Sequence, residues 1–339
     1  MERSELQLLV ADKTPNPIRT GQLMRTAMVT GSSGYLGSHV CKLLKANDWK
    51  VIGYDTVEPK HPYVDMYIQD DIRNGHSVFD VLDRFKPSVV FHFAGRIEID
   101  ASYKQATEFY NVNAGGTYNI LNSMRVLGLN NIIYSSTAGI YEPKNEPIKE
   151  IDSKNWDNNP YAGSKMAAEH GIQHSGLSHV IFRYFNLAGA SVDNTIGECH
   201  NPETHLIPRI YQNLNSFRIY GNDYATPDGT CIRDYVHVED VAEAHLLAAE
   251  YLLSGKESLI LNLGTGNGYS VKQIIETAEN VIGQKIDYQI VSRRPGDPDL
   301  LVADISLAEK ILTFRPKHDI ISILQTAYNW HLKNDKQKT

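Results

Sequence analysis

VTGSSGYLGSHV, residues 29 to 40, overlaps the apolar run TAMVT (26–30) and spaces Gly31, Gly34 and Gly37 three apart before an apparent helix. A strand that turns sharply into a helix leaves free N–H groups at the helix start. Glycines there permit the tight turn and let a pyrophosphate approach the backbone. The spacing is G-x-x-G-x-x-G, not the G-x-G-x-x-G of the usual dinucleotide fingerprint, but the physical demands are similar. Ser33, Tyr35 and Leu36 lie in the same turn and are expected to share the contact. Asp55 follows the next apolar run, VIGY (51–54), where a carboxylate accepts from ribose hydroxyls and repels a 2′-phosphate, which favours NAD over NADP. Asp71 and Ile72, in QDDIRN, are placed to flank the adenine.

Further apolar runs recur at VVFHF (89–93), IIY (132–134) and VIFRY (180–184), with longer, more polar segments between them. Strands alternating with helical patterns predict a parallel sheet covered on both faces. The expected fold class is therefore α/β: a doubly wound parallel sheet of the Rossmann type with a smaller, partly interleaved C-terminal substrate-binding lobe. After residue 186 the chain becomes rich in turn formers, until VEDVAEAHLLAAEYLL (238–253) restores helical periodicity and LILNL (259–263) reads as another strand. The expected division is an N-terminal extension over 1–24, a cofactor domain over 25–186 joined by about 234–263, and a substrate lobe over 187–233 and 264–339.

Composition narrows the function. The chain has 339 residues, 42% hydrophobic and 22% charged, enough to bury a full core. A formal charge of −7 argues against general nucleic-acid binding. No apolar run approaches the roughly 20 residues that span a bilayer, and the opening segment has no apolar signal core. Cys41, Cys199 and Cys231 are too scattered for a disulfide framework. The expectation is a cytoplasmic protein that engages neither membrane nor nucleic acid.

NNPYAGSKMAAEH (158–170) sets Tyr161 and Lys165 one helical turn apart after a proline. Spacing alone leaves open a reactive pair or two polar residues on a helix surface. The motifs around it are FHFAG (91–95), NVNAGGT (111–117), YSSTAGIY (134–141), RYFNLAGA (183–190), IRDYVHVED (232–240) and RRPGD (293–297). Taken in order with TGSSGYLG and YAGSK, they resemble the extended short-chain dehydrogenase/reductase family, in its branch of NAD-dependent sugar-nucleotide epimerases. The similarity runs from about residue 26 to near the C-terminus.

The resemblance implies interconversion of UDP-glucose and UDP-galactose by a protein that retains NAD and forms a homodimer through helices near 103 to 127 and 161 to 175. Tyr161 is then the base for the sugar 4-hydroxyl, Lys165 its cationic neighbour and a ligand of the nicotinamide ribose, and Thr137 the hydroxyl that relays the proton, with Ser135 and Ser136 as nearby rivals. A free tyrosine has a pKa near ~10, and one unit charge at 4 to 6 Å contributes roughly 3 to 4 kcal/mol at an effective dielectric of about 20. Lys165 and an oxidised nicotinamide therefore suffice to ionise an unburied tyrosine. Phe93, Ala94, Gly95, Asn113, Ser135 and Tyr184 are implied around the cofactor. Asn186, His205, Leu206, Phe217, Tyr220, Arg233, Arg294 and Asp297 are implied around the UDP-sugar, the arginines facing its diphosphate.

Related sugar-nucleotide 4,6-dehydratases carry an Asp-Glu pair after the catalytic hydroxyl, because elimination of water needs an acid and a base there. Ala138 and Gly139 occupy those positions. Ile97 stands where the family often has lysine, His205 where a family variant has asparagine, and Leu301 where a tyrosine can restrict the sugar pocket. The extra room at Leu301 leaves UDP-N-acetylhexosamines, or another UDP-sugar, as alternative substrates. A dinucleotide-sensing protein without chemistry is the alternative of a different class. Gly264, Gly266 and Gly268 alternate and lack Rossmann spacing, and no glutamate follows His170 as the His170–His174 pair would need for a zinc-protease motif. Cys199, His200 and His205 share a loop, but no metal is expected.

Overall fold

The computed structural model describes residues 25–335 except Asn201 and Pro295, so the extension expected over residues 1–24 lies outside the described residues. Strands β1 (Thr26–Thr30), β2 (Lys50–Asp55), β3 (Met66–Gln69), β4 (Val89–His92), β5 (Asn131–Thr137) and β6 (Ser178–Tyr184) join Leu259–Leu263 in a seven-stranded sheet. All neighbours are parallel, and the order is β3-β2-β1-β4-β5-β6 and then Leu259–Leu263. This is a doubly wound α/β sheet whose direction of winding reverses between β1 and β4.

Burial explains why its strands read as apolar runs. Successive side chains point to opposite faces, and both faces are covered. Val29, Val51, Phe91, Ile133 and Phe182 enter one core with α1 (Tyr35–Ala46) and the helix Val238–Leu253. Met28, Ile52, Val90, Ile132 and Ile181 enter a second core with the helices Gly75–Phe85, Gly116–Leu127 and Pro160–Gln173. Register brings Thr30 beside both Tyr54 and His92, and Thr137 beside Tyr184, so the C-terminal strand ends form one rim. In sheets of this kind ligands lie over that rim.

The helix expected near 103 to 127 is broken. Ile99–Lys104 ends at Gln105, Ala106–Tyr110 follows, and a π-helical turn over Asn111–Gly115 leads into Gly116–Leu127. The wider turn directs the Asn113 amide toward the backbone of Arg96, which accounts for the departure from a regular helix.

A third core, with Ile207, Phe217, Ile219, Ile274 and Leu324, sits beneath the helices Leu206–Gln212, Val271–Ile282 and Ile320–Asp335. Here Ile232–His237 pairs with Asn186–Ala188, Gly268–Ser270 and Leu300–Leu301, while Phe217–Tyr220 pairs with Tyr288–Val291. No helix among the described residues is long and apolar enough to cross a membrane.

Candidate active site

The glycine loop between β1 and α1 is dictated by close packing. Gly31 has φ of +70°, and a Cβ there would lie 2.7 Å from the Ala94 nitrogen; one on Gly37 would fall 2.0 Å from the Gly31 carbonyl oxygen. Both clashes are with backbone. Gly34 precedes α1 with no side-chain cap, so the first helical N–H groups are available to an anion. At the end of β2, Asp55 accepts from the Ser33 N–H at 2.9 Å and the Val57 N–H at 3.1 Å. Those bonds orient the carboxylate beside the loop while its remaining lone pairs can accept from a ribose. Asp71 is held by Arg73, whose hydrogen bond draws the carboxyl below the usual range, and Ile72 is buried against the position of Gly116. An uncapped helix start, a glycine turn with no room for side chains and an oriented strand-end carboxylate fit a dinucleotide.

A cleft of about 1730 Å³ runs from this loop along the rim of the sheet to the smaller lobe. Phe93, Ala94, Gly95, Ser135 and Tyr184 line its middle, with Tyr35 and Leu36 at the loop end. Asn113 is different: it is 1% exposed and does not open on the cleft. Its side chain accepts from the Arg96 N–H at 2.7 Å and donates to the Arg96 carbonyl and to Ser164. These bonds support the cleft wall at residues 95 and 96.

Asn159 and Pro160 explain the start of the Tyr161 helix. The Asn159 side chain accepts from the Ala162 N–H at 2.8 Å, and proline occupies the first turn, where its missing N–H costs nothing. Tyr161 and Lys165 both reach the cleft although they are only 9% and 3% exposed. Burial pushes the Tyr161 phenol up to about 12, against the pull of the Thr137 hydroxyl, while Glu98 adds a smaller upward push. Burial also lowers Lys165 to about 8, opposed by Glu169. The Lys165 ammonium donates to the Ser135 carbonyl at 2.6 Å and lies 4.8 Å from the Tyr134 ring centre. Desolvation, which an unburied tyrosine would escape, dominates both groups here.

Among the hydroxyls, Thr137 accepts from the Gly139 N–H at 3.0 Å and meets Tyr161. Ser136 is buried and donates to Glu169 at 2.5 Å, and Glu169 is clamped by Arg183 at 2.6 Å. This buried ion pair, unforeseen in the sequence, ties the Tyr161 helix to β5 and β6; its only local signal is Glu169 one turn after Lys165. Tyr184 shares a hydrogen bond of 2.7 Å with His245.

Cationic and aromatic groups gather at the far end. Arg233 is paired with Asp297 at 2.6 Å, and Tyr224 donates to the same carboxylate. Arg294 lies 4.2 Å and Arg209 5.5 Å from the Tyr220 ring centre. Neither Arg209 nor Arg294 has an ion-pair partner among the described residues, and their proximity draws the Tyr220 phenol down, Arg209 being the larger cause. Arg209 was not singled out from the sequence, although it lies one turn after Leu206 on the same short helix. Asn186 donates to the Asp234 carbonyl at 3.1 Å, His205 contacts Glu198, Phe217 is almost fully buried, and Leu301 forms part of the wall.

Known proteins resemble this chain in sequence and fold. The model of the NAD dependent epimerase/dehydratase family matches residues 27–264. A UDP-glucose 4-epimerase of Rhizobium meliloti is 38% identical over 91% of this chain and 98% of its own, and one of Lacticaseibacillus casei is 41% identical over 90% and 96%. Among solved structures, UDP-glucose 4-epimerase from Brucella ovis in complex with NAD superposes with a TM-score of 0.85 at 37% identity, covering 90% of this chain and 98% of its own. UDP-glucose-4-epimerase from Stenotrophomonas maltophila with bound NAD and formylated UDP-arabinopyranose gives 0.88 at 31% identity, covering 92% and 99%. A glycine loop, a Tyr-Lys helix and an arginine-lined far end on one rim, together with these matches, establish that the chain belongs to the NAD dependent epimerase/dehydratase family, among its UDP-glucose 4-epimerases.

Proposed function

We propose that this chain interconverts UDP-glucose and UDP-galactose as an NAD-dependent 4-epimerase. The observation that carries the reading is that Thr137, Tyr161 and Lys165 line one cleft together with the glycine loop and with Arg209, Arg233 and Arg294. Gly31, Gly34, Gly37, the start of α1 and Asp55 would hold NAD, which would supply a reversible hydride acceptor for carbon 4. Tyr161 takes the proton of the 4-hydroxyl through or beside Thr137, leaving a 4-keto sugar. Arg294, Arg209 and the Arg233–Asp297 pair retain the diphosphate and uridine while the sugar turns over about that link. Tyr161 then gives the proton back to the oxygen on the opposite face.

Magnitudes fix what Tyr161 needs. With its pKa near 12, only about one molecule in a hundred thousand carries the phenolate at pH 7, a deficit of roughly 7 kcal/mol. One cation at 4 to 6 Å returns roughly 3 to 4 kcal/mol at an effective dielectric of about 20, so two positive charges are required. Lys165, still mostly protonated at neutral pH and one helical turn from Tyr161, would supply one, and an oxidised nicotinamide would supply the other.

The partly buried Leu301 at the cleft wall supports a second reading, in which UDP-N-acetylhexosamines are also accepted. Residues 25–186 with 234–263 then form the cofactor side, and 187–233 with 264–339 the sugar-nucleotide side. The exposed apolar groups Tyr103, Tyr118 and Val126 support a homodimer through the helices near 103 to 127 and 161 to 175, and a cytoplasmic location agrees with this metabolism. Incubating the purified protein with a panel of UDP-sugars and no added cofactor tests the activity. UDP-glucose and UDP-galactose should each yield the other, and absence of turnover in an NAD-loaded sample would instead support the dinucleotide-sensing alternative.

A further inference from the structure

Glu198, His200 and His205, on the wall of the cleft, come together with Glu203 as four ligand-type side chains. One donor atom each from Glu198, His200, Glu203 and His205 lies within 4.8 Å of all the others. His200 Nδ1 stands 3.4 Å from a Glu198 oxygen and 3.6 Å from a Glu203 oxygen. A tetrahedral ion with bonds of about 2.0 to 2.1 Å has ligand-to-ligand edges of about 3.3 to 3.4 Å, so these separations span one ion. His205 Nδ1 is hydrogen-bonded directly to the same Glu198 carboxylate, closer than two ligands of one ion stand, so an entering ion takes the place of that bond. The Glu198 side chain is only 4% exposed, and a carboxylate so withdrawn from water requires positive charge, from protonated His200 and His205 or from a cation that replaces their protons. Protons on His200 and His205 balance the two carboxylates in the metal-free cluster; with those protons displaced the four side chains sum to −2, the charge that one divalent cation balances.

We propose that Glu198, His200, Glu203 and His205 form a structural site for a divalent transition metal of the zinc class. Imidazole and carboxylate donors suit that ion, and four protein ligands close the site to catalytic water. Cys199 is exposed and stands outside the four converging donors. The metal would brace the loop against the helix Leu206–Gln212, which presents Leu206 and Arg209 to the cleft. This departs from the expectation, drawn from sequence, that the loop binds no metal. The neighbouring arrangement of His237, Glu239 and His318 carries no such proposal, because the two ring nitrogens of His237 serve the Glu239 N–H and the Thr326 hydroxyl.

The test is zinc titration of the full-length, NAD-containing, chelator-treated protein, reading metal retained after dialysis by mass spectrometry and the thermal midpoint. One zinc per chain and a raised midpoint are expected. Glu203→Gln, which preserves shape, and His200→Ala should each bind zinc at least ~100-fold more weakly, whereas Cys199→Ser should bind as the parent does. Absence of saturable binding to the parent, parental affinity in both ligand variants, or loss of binding in Cys199→Ser would each overturn the proposal.

Discussion

Tyr161 holds its proton tightly because it is buried, and the one neighbouring hydroxyl that eases ionisation is Thr137. Removing that hydroxyl should therefore raise the phenol further. Thr137→Val is expected to move the rising limb of the kcat–pH profile to higher pH and to lower turnover at pH 7 by about 100-fold, with Thr137→Ser restoring most of it. Specificity is a separate residue-scale question. Leu301→Tyr should lower kcat/KM for UDP-N-acetylglucosamine at least ~10-fold while changing that for UDP-glucose only a few-fold, since it adds volume to the wall without touching the proton relay. Equal effects on both substrates would detach Leu301 from sugar selection. Tyr161, Lys165 and Thr137 were legible as a set because residue type, spacing and neighbouring motifs coincide. Arg209 and Glu169 were missed because what each does depends on partners on other elements: the ring of Tyr220, and Arg183.

The element that carries the cofactor claim is the turn from β1 into α1. A Cβ at Gly37 would meet the Gly31 carbonyl at 2.0 Å, and backbone cannot rotate away as a side chain can. Gly37→Ala should consequently lose at least ~10-fold in NAD retained per chain and several degrees in thermal midpoint, measured by absorbance of the released cofactor and by calorimetry. Full retention of NAD would show that the loop does not hold the pyrophosphate. The strands of the main sheet could be read directly because residues such as Met28 and Val29 are buried on opposite faces, which makes the run continuously apolar. The break at Gln105 and the π-helical turn at Asn111–Gly115 could not, since helical periodicity continues across both. Nor does local sequence reveal that Ile232–His237 gathers three short strands, because those pairings are set by long-range contacts.

Across the whole molecule, stability should depend on four histidines buried neutral. Burial lowers His39 and His245 to about 4, and His92 and His237 to about 3, from the ordinary 6.5. The unfolded chain binds protons at these sites before the folded one does, so stability is retained above about 6.5 and lost as pH falls toward 4. Each histidine contributes up to about 1.4 kcal/mol per pH unit within that window. The thermal midpoint should fall by ~10 °C or more between pH 7 and pH 5, and a flat profile would mean that these side chains are already protonated when folded. The same global packing assembles the cleft from residues as distant as Gly31 and Asp297, and its central claim is reversible hydride removal at carbon 4. The most direct test supplies UDP-galactose carrying deuterium at carbon 4 to the purified protein in ordinary water without added cofactor. The product should be UDP-glucose with deuterium still at carbon 4; exchange of the label with solvent, or absence of product, would contradict the account.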